Sequence, residues 1–110
     1  MVEIKHKSTG KVLLCIEADG LQGLKLVGSQ LPGADLSGFD LTGSDLSNSD
    51  LRNAKLTQSK CEGTNFEASC LSGASLDSAN LQKANFVDTV IQSATFVGPT
   101  FNSLVFDTQN

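Results

Sequence analysis

The sequence predicts an all-β fold in which the chain winds into a four-sided helical tube, a solenoid. Three observations predict it. Apolar residues occupy every fifth position from Leu21 to Phe106 without a gap. Like residues recur every twenty positions, as in Ala34, Ala54 and Ala74. The residues between them are mostly small, polar or turn-forming, so one column of large apolar side chains is the core that this chain can build.

A period of five excludes the two ordinary secondary structures. An α-helix turns about 100° per residue, so steps of five would spread the apolar residues around its whole circumference. In a flat strand, steps of five would alternate between the two faces. A backbone that turns a corner once per unit points every central side chain inward. Units that cannot bury their own apolar side chains then stack on their neighbours.

The central positions of these units predict the core. A super-period of twenty means four units per coil, and the eighteen units from Leu21 to Phe106 then form about 4.5 coils. The position two residues before each centre is mostly Ala, Ser or Thr, which is the size that a narrow bore packed with Leu and Phe needs. The middle of the predicted column consists of Leu36, Leu41, Leu46, Leu51, Leu56, Cys61, Phe66, Leu71, Leu76, Leu81, Phe86, Ile91 and Phe96.

The most regular stretch carries a family resemblance. From Ala34 to Asn53 the units read A-D-L-S-G, F-D-L-T-G, S-D-L-S-N and S-D-L-R-N. This pattern resembles the pentapeptide-repeat family, A-(D/N)-L-x-x, and the match extends from about Asp19 to Thr108. The resemblance implies a right-handed quadrilateral β-helix, with the central residue and the residue two places before it facing inward.

The N-terminal residues predict a cap for this helix, so we divide the chain into a cap at 1–18 and a β-helix at 19–110 within one domain. The segments V-E-I-K-H-K and V-L-L-C-I-E-A alternate apolar and other residues around Ser8–Lys11, which is typical of a β-hairpin. An open coil would expose its apolar bore and an unpaired strand edge. We expect that end to be covered by Val2, Ile4, Val12, Leu14 and Ile16.

The C-terminal units become more apolar, and no capping element is predicted after them. Their centres are mostly Phe, and Val replaces polar residues at several outward positions. An apolar end of this kind is a candidate docking surface. The resemblance supports the same reading, because gyrase-binding members of the family dimerise through their C-terminal coils. We therefore expect a homodimer formed through Val97, Phe101, Leu104, Val105 and Phe106.

The sequence offers no chemistry for catalysis. Its one histidine, His6, lies in the predicted hairpin and is expected to be solvated. Ser8–Lys11 reads S-T-G-K and lacks the remainder of a phosphate-binding loop. Cys15, Cys61 and Cys70 do not have the spacing of a metal site. We predict a protein that is not an enzyme, with no cofactor, metal or membrane segment, and with free thiols in the cytoplasm.

The acidic charge leaves an alternative open. The net charge is −4, with nine acids and five bases in residues 21–110. The resemblance implies that such a chain could imitate DNA and bind DNA gyrase, as quinolone-resistance members do, through Asp35, Asp40, Asp45 and Asp50. Four sides per coil place these aspartates one on each side, as a belt, which disfavours this reading. Only one side is consistently acidic, the side bearing Asp45, Glu67, Asp88 and Asp107. No basic stripe for nucleic acid exists. We favour a rigid scaffold for protein–protein interaction, with an unidentified partner.

Overall fold

A computed structural model describes residues 1–100 and the backbone of Val105–Phe106, and it confirms the all-β solenoid. The strands are β1 (Val2–His6), β2 (Val12–Ile16), β3 (Ala34–Asp35), β4 (Asn85–Phe86) and β5 (Val105–Phe106). Isolated parallel bridges join residues twenty apart along the rest of the helix, from Lys25↔Asp45 to Asn80↔Thr100. Nowhere in the described part of the chain is there a helix long and apolar enough to span a membrane.

The corners are made by turns whose third residue has a left-handed backbone. Every fifth residue from position 23 to position 98 has a positive φ, including Gly38 at 71° and Lys83 at 60°. In the turn around Gly38, for example, the N–H of Phe39 donates to the carbonyl of Leu36 at 3.1 Å. A positive φ at the third residue is what a type II turn requires. The regular corner is therefore the local reason that a period of five closes into a coil.

Successive coils are joined by a repeating set of backbone hydrogen bonds. The N–H of Leu36 donates to the carbonyl of Lys55 at 2.7 Å. In return, the N–H of Lys55 donates to the carbonyl of Ala34 at 2.8 Å. Around the corner, the N–H of Gly38 donates to the carbonyl of Thr57 at 3.0 Å. The twenty-residue super-period is therefore the spacing between hydrogen-bonded layers. The molecule measures 37 × 25 × 25 Å.

The predicted core column is confirmed from Leu36 to Phe86, where every central side chain is at most 1% exposed. Phe66 and Phe86 stack with ring centroids 5.1 Å apart, and Phe86 meets Phe96 edge to face at 6.2 Å. Ile91 and Phe96 differ from the prediction, because they pack against the core but are only partly buried. They belong to the last coil whose side chains the structure describes, so no described layer lies above them.

The N-terminal hairpin adds two strands to the sheet at the N-terminal end of the first coil, on the side away from the second coil. β1 pairs antiparallel with β2 and also with β3, where Lys5 lies opposite Asp35 and His6 opposite Ala34. The strand order is β2-β1-β3. Ile4 is completely buried, and Val2 packs against the same core. The hairpin therefore contributes to the core as a cap would.

The prediction is wrong for one residue of the cap, Val12, which does not face the core. The register of the hairpin shifts between Ile4 and Lys5, so that Ile4 pairs with Leu14 while Lys5 pairs with Val12. Such an irregularity inserts one residue and changes which side chains face the core. Leu13 packs against the core with Leu14 instead, and Val12 is 41% exposed.

His6 is also less exposed than the sequence predicts, because its ring is part of the hairpin turn. Its Nδ1 accepts the backbone N–H of Ser8 at 3.1 Å and that of Thr9 at 3.3 Å. The ring lies so close to Gly33 that a side chain at this glycine would collide with it. Beside it, Lys7 Nζ donates to the carbonyl of Asn53 at 2.6 Å. These contacts anchor the tip of the hairpin to the first two coils.

Candidate interaction surfaces

The interior of the tube is filled and cannot serve as a binding site. Several of its hydroxyl side chains donate to carbonyl groups of the preceding coil, as Thr64 Oγ1 does to Leu41 at 2.6 Å and Thr89 Oγ1 to Phe66 at 2.7 Å, whereas that of Ser59 donates to Leu56 in its own turn at 2.7 Å. Within the described part of the chain, every buried polar side-chain atom has a hydrogen-bond partner. Any binding function must therefore belong to the outer surface.

The aspartates that precede the central leucines have a structural task. The Oδ1 atom of Asp35 accepts the backbone N–H two residues later at 3.0 Å, and Asp40 and Asp45 do the same at 3.0 Å. Asn65 and Asn80 hold their turns in the same way. Asp and Asn side chains are suited to this short local bond, the Asx turn. Their recurrence is therefore explained by turn formation, without a partner molecule.

These bonds lower the pKa of the aspartates. The side chain of Ser37, then its backbone N–H, lowers the pKa of Asp35 below its ordinary value. Equivalent bonds lower the pKa of Asp40 and Asp45. The Arg52 side chain lowers that of Asp50, which it contacts through Nε at 2.8 Å and a terminal nitrogen at 2.6 Å.

We predict that acid destabilises the protein through these turns. A carboxyl group with a lowered folded-state pKa contributes stability above its unfolded pKa of about 3.9, and that contribution is lost as pH falls through the folded value. The variant Asp35→Asn, Asp40→Asn, Asp45→Asn, Asp50→Asn keeps the acceptor oxygen but not the charge. We expect its urea midpoint to fall less between pH 7 and pH 3 than that of the wild type.

The matched control for this experiment removes the same number of negative charges outside these turns, by amide substitution of Glu17, Asp19, Glu62 and Glu67. We expect the control to keep most of the wild-type loss of stability in acid. An equal flattening of the pH profile in both variants would show that net charge, and not the turns, controls the acid response.

The side that the sequence predicts to be acidic has no continuous stripe of acids. Glu67 and Asp88 are exposed, whereas Asp45 is partly buried in its turn, between the ladder partners Lys25 and Asn65. Residues of successive coils stack at intervals of twenty positions, and the positions of these three acids do not differ by multiples of twenty. No two of them therefore lie directly above one another. Asp107 lies outside the described residues. Duplex DNA carries one negative charge per about 1.7 Å of its axis, a density that these separate acids do not approach.

On two other sides of the helix, an aspartate of the first coil lies next to a lysine of the second coil. Lys55 lies above Asp35, and Lys60 lies above Asp40, each in the parallel ladder. These lysines contribute to lowering the pKa of the aspartates beneath them. The belt of aspartates predicted from the sequence is therefore followed by a layer of partly compensating positive charge.

The last coil whose side chains are described, residues 81–100, is called the C-terminal coil here, and it exposes apolar side chains beside an open strand edge. Val97 is 70% exposed and Val90 is 45% exposed, and the partly buried Ile91 and Phe96 lie in the same coil. In the coil below, the N–H groups of Leu76 and Ser78 donate to carbonyls of this coil at 2.9 and 2.8 Å. The equivalent N–H groups of Phe96 and Gly98 donate to no acceptor among the described residues.

Only part of the predicted self-association surface can be located. Val97 is on the surface at this end, as predicted. Val105 and Phe106 are described by their backbone alone, as β5, which pairs in parallel with β4. Phe101 and Leu104 lie outside the described residues. The location of the remaining predicted residues thus stays a prediction.

Chemically reactive groups do not converge on any surface. No group of three His, Cys, Asp or Glu side chains in the described residues is arranged to hold a metal ion. All three cysteines are free thiols, with Cys15 exposed, Cys70 partly buried and Cys61 in the core. Burial raises the pKa of the Cys61 thiol to about 11. Cys61 therefore acts as a core residue, since a buried protonated thiol is a poor nucleophile.

Comparison with known proteins gives a consistent result for the fold. The family model described as "Pentapeptide repeats" matches in eight copies, over residues 21–58, 34–73 and 59–98. The search of functionally curated proteins found no match.

Solved structures of this type superpose on the chain. A pentapeptide repeat protein from the thylakoid lumen of Arabidopsis thaliana is 24% identical, with a TM-score of 0.75 over 79% of this chain. The matched region spans 61% of the length of that protein. Rfr23, a pentapeptide repeat protein from the cyanobacterium Cyanothece 51142, is 25% identical, with a TM-score of 0.58 over 96% of this chain and 78% of its own.

A plasmid-mediated fluoroquinolone resistance protein, QnrB1, is a more distant match. It is 20% identical over 79% of this chain and 69% of its own, with a TM-score of 0.31. A score this low supports no conclusion about shape or function.

Proposed function

The chain belongs to the pentapeptide-repeat family, and from its surface we propose that it is a rigid, non-enzymatic scaffold that self-associates through its C-terminal coil. The observation that carries the proposal is the coincidence of exposed valines with unpaired backbone donors. Val97 is 70% exposed, and the N–H of its neighbour Gly98 has no acceptor among the described residues. A second copy seated there would cover both features.

The energetics favour a partner on this surface. Full burial of a Val or Phe side chain contributes about 1.5–3 kcal/mol, and the side chains at this end are still partly exposed. An open strand edge adds backbone groups that can pair with another chain. A contact of this end with the same end of a second copy is related by a two-fold axis, so it closes at a dimer.

A double substitution tests the dimer. We expect light scattering on the wild-type protein at micromolar concentration to give twice the mass of the 11.5-kDa chain. The variant Val90→Lys, Val97→Lys places two charges on the proposed contact, and we expect it to scatter as a monomer. Because both side chains are exposed in a single chain, its circular dichroism should match that of the wild type, and its urea midpoint should match that of the wild type diluted until it is monomeric.

The matched control is Val27→Lys, because Val27 is 53% exposed but lies in the first coil. We expect this control to remain dimeric. A wild-type protein that stays monomeric at millimolar concentration would overturn the proposal, as would equal loss of the dimer in the control.

The remaining predictions from sequence have weaker support. A DNA-mimicking binder of gyrase needs a dense acidic face, whereas Asp35 and Asp40 are engaged in turns and partly compensated by lysines. We therefore prefer a protein partner of another kind. Free thiols accord with the reducing cytoplasm that we propose as its location.

A further inference from the structure

The opposite end of the molecule has a second unpaired edge, formed by β2. The strand order β2-β1-β3 leaves β2 at the margin of its sheet. The described residues provide no backbone partner on its outer side. The strand reads V-L-L-C-I, and its Val12 and Cys15 side chains are exposed. An apolar edge strand without a cover is a template for pairing with another chain.

The charges that flank this strand indicate which chain would pair with it. Lys11 precedes the strand and Glu17 follows it, each three residues from Leu14. Both side chains are exposed. When two copies of the strand run antiparallel about Leu14, Lys11 of each copy lies opposite Glu17 of the other. The segment is therefore complementary in charge to itself.

We propose that β2 pairs antiparallel with β2 of a second copy, with Leu14 of each copy on the two-fold axis. Leu13 then lies opposite Cys15, and Val12 lies opposite Ile16, so that apolar side chains meet apolar side chains across the contact. The register shift at Leu13 interrupts the alternation of outward-pointing backbone groups, so the cross-strand hydrogen bonds come from the regular residues on either side of it.

This contact is distinct from the C-terminal contact and weaker. It joins strands of five residues, so it buries much less than the roughly 1,200–2,000 Å² of a stable interface. Association is therefore expected only at high protein concentration. Because the two contacts lie at opposite ends and each is two-fold, a protein that uses both builds linear assemblies of alternating contacts.

The experiment uses the full chain carrying Val90→Lys and Val97→Lys, so that the C-terminal contact does not contribute. In this background, sedimentation equilibrium compares the parent with two variants, Lys11→Glu and Glu17→Lys. Each variant replaces two attractive cross-strand pairs by two repulsive pairs. We expect each to dimerise about tenfold more weakly than the parent at low salt.

Mixing the two variants tests the register of the strands. A heterodimer of Lys11→Glu with Glu17→Lys has opposite charges at both ends again, so we expect an equimolar mixture to associate as tightly as the parent. The double variant carrying both substitutions should do the same on its own. In about 1 M salt the differences should largely disappear, because exposed charges are screened.

A control pair places the same charge changes away from β2, as Lys25→Glu and Glu67→Lys, and we expect no weakening and no effect of mixing. The proposal is overturned if the mixture of Lys11→Glu and Glu17→Lys is no tighter than either variant alone. It is equally overturned if the parent is monomeric at millimolar concentration. Neither result would bear on the C-terminal dimer, which is measured without the two lysine substitutions.

Discussion

Replacing Phe66 with alanine is expected to lower the free energy of unfolding by about 3–5 kcal/mol. The Phe66 ring is completely buried and stacks on Phe86 at 5.1 Å. The coil that contains Phe66 is hydrogen-bonded to both neighbouring coils. The N–H of Asn65 donates to the preceding coil, and the N–H of Phe66 donates to the following coil. A cavity there removes the stacking of Phe66 on Phe86 and weakens the contact between this coil and the next. The midpoint and m-value of urea unfolding measure the loss.

The same experiment can show whether the coils unfold together. In a stack where each unit contacts only its neighbours, a weakened interface reduces cooperativity between the parts that it joins. We therefore expect a broader transition in Phe66→Ala, with the N-terminal coils unfolding separately from the C-terminal ones. Phe66→Leu, which restores the residue type used in most other units, should cost much less.

The control for this prediction is Val27→Ala, which shortens a side chain that is 53% exposed. Its effect should lie within about 0.5 kcal/mol of the wild type. A loss below about 1 kcal/mol for Phe66→Ala would contradict the packed column, because a fully buried ring cannot be removed from a close-packed core at so low a cost.

Replacing Ser69 with alanine is expected to cost about 2–4 kcal/mol, although only one oxygen atom is removed. The Ser69 hydroxyl accepts the backbone N–H of Ser49 at 3.0 Å and donates to the carbonyl of Leu46. In other turns the equivalent N–H donates to the carbonyl three residues earlier, as that of Ala54 does to Leu51 at 3.0 Å. Alanine at position 69 would leave a buried donor and a buried acceptor unpaired, at about 1–3 kcal/mol each.

Two related variants isolate the role of this hydroxyl group. Ser69→Thr keeps the oxygen, and Thr64 occupies an equivalent buried position, so we expect most of the stability to be retained. Ser59→Ala also removes a buried hydroxyl, but the equivalent N–H, that of Phe39, already donates to the carbonyl of Leu36 at 3.1 Å. The carbonyl of Leu56, to which the Ser59 hydroxyl donates, also accepts the N–H of Ser59 at 3.1 Å. We expect this control to cost about 1 kcal/mol. Equal losses in Ser69→Ala and Ser59→Ala would contradict the argument from unpaired groups.

Most of the architecture could be predicted because the repeat is short and strict. Central apolar residues at each fifth position require a corner in every unit, and a super-period of twenty requires four sides. The confirmed column from Leu36 to Phe86 follows from these two numbers alone. The Asp or Asn before many centres could also be read from the sequence, but its purpose could not, because the sequence does not show which N–H the side chain accepts.

The predictions failed or fell short where a contact depends on a segment distant in the chain. The inward position of Leu13 in place of Val12 depends on a register shift against β1, which no alternating pattern reveals. The partial burial of His6 depends on Gly33, which is 27 residues further along the chain and has no side chain to obstruct the ring. The acids of the predicted acidic side are not stacked above one another in the structure. The reason is that the position of a residue within its five-residue unit, as well as the side of the coil, decides where its carboxylate lies.

The sequence by itself determined the period, the four sides and the inward column, because a local pattern repeated without interruption leaves one way to bury the apolar residues. Tertiary structure alone decided which backbone groups the interior hydroxyls satisfy, how the hairpin meets the first coil, and which edges remain unpaired. Those features arise between layers twenty residues apart, or between the hairpin and the helix. Hydrogen-bond partners are chosen there by the distance and direction of groups in space, which are not encoded in the spacing of residues along the chain.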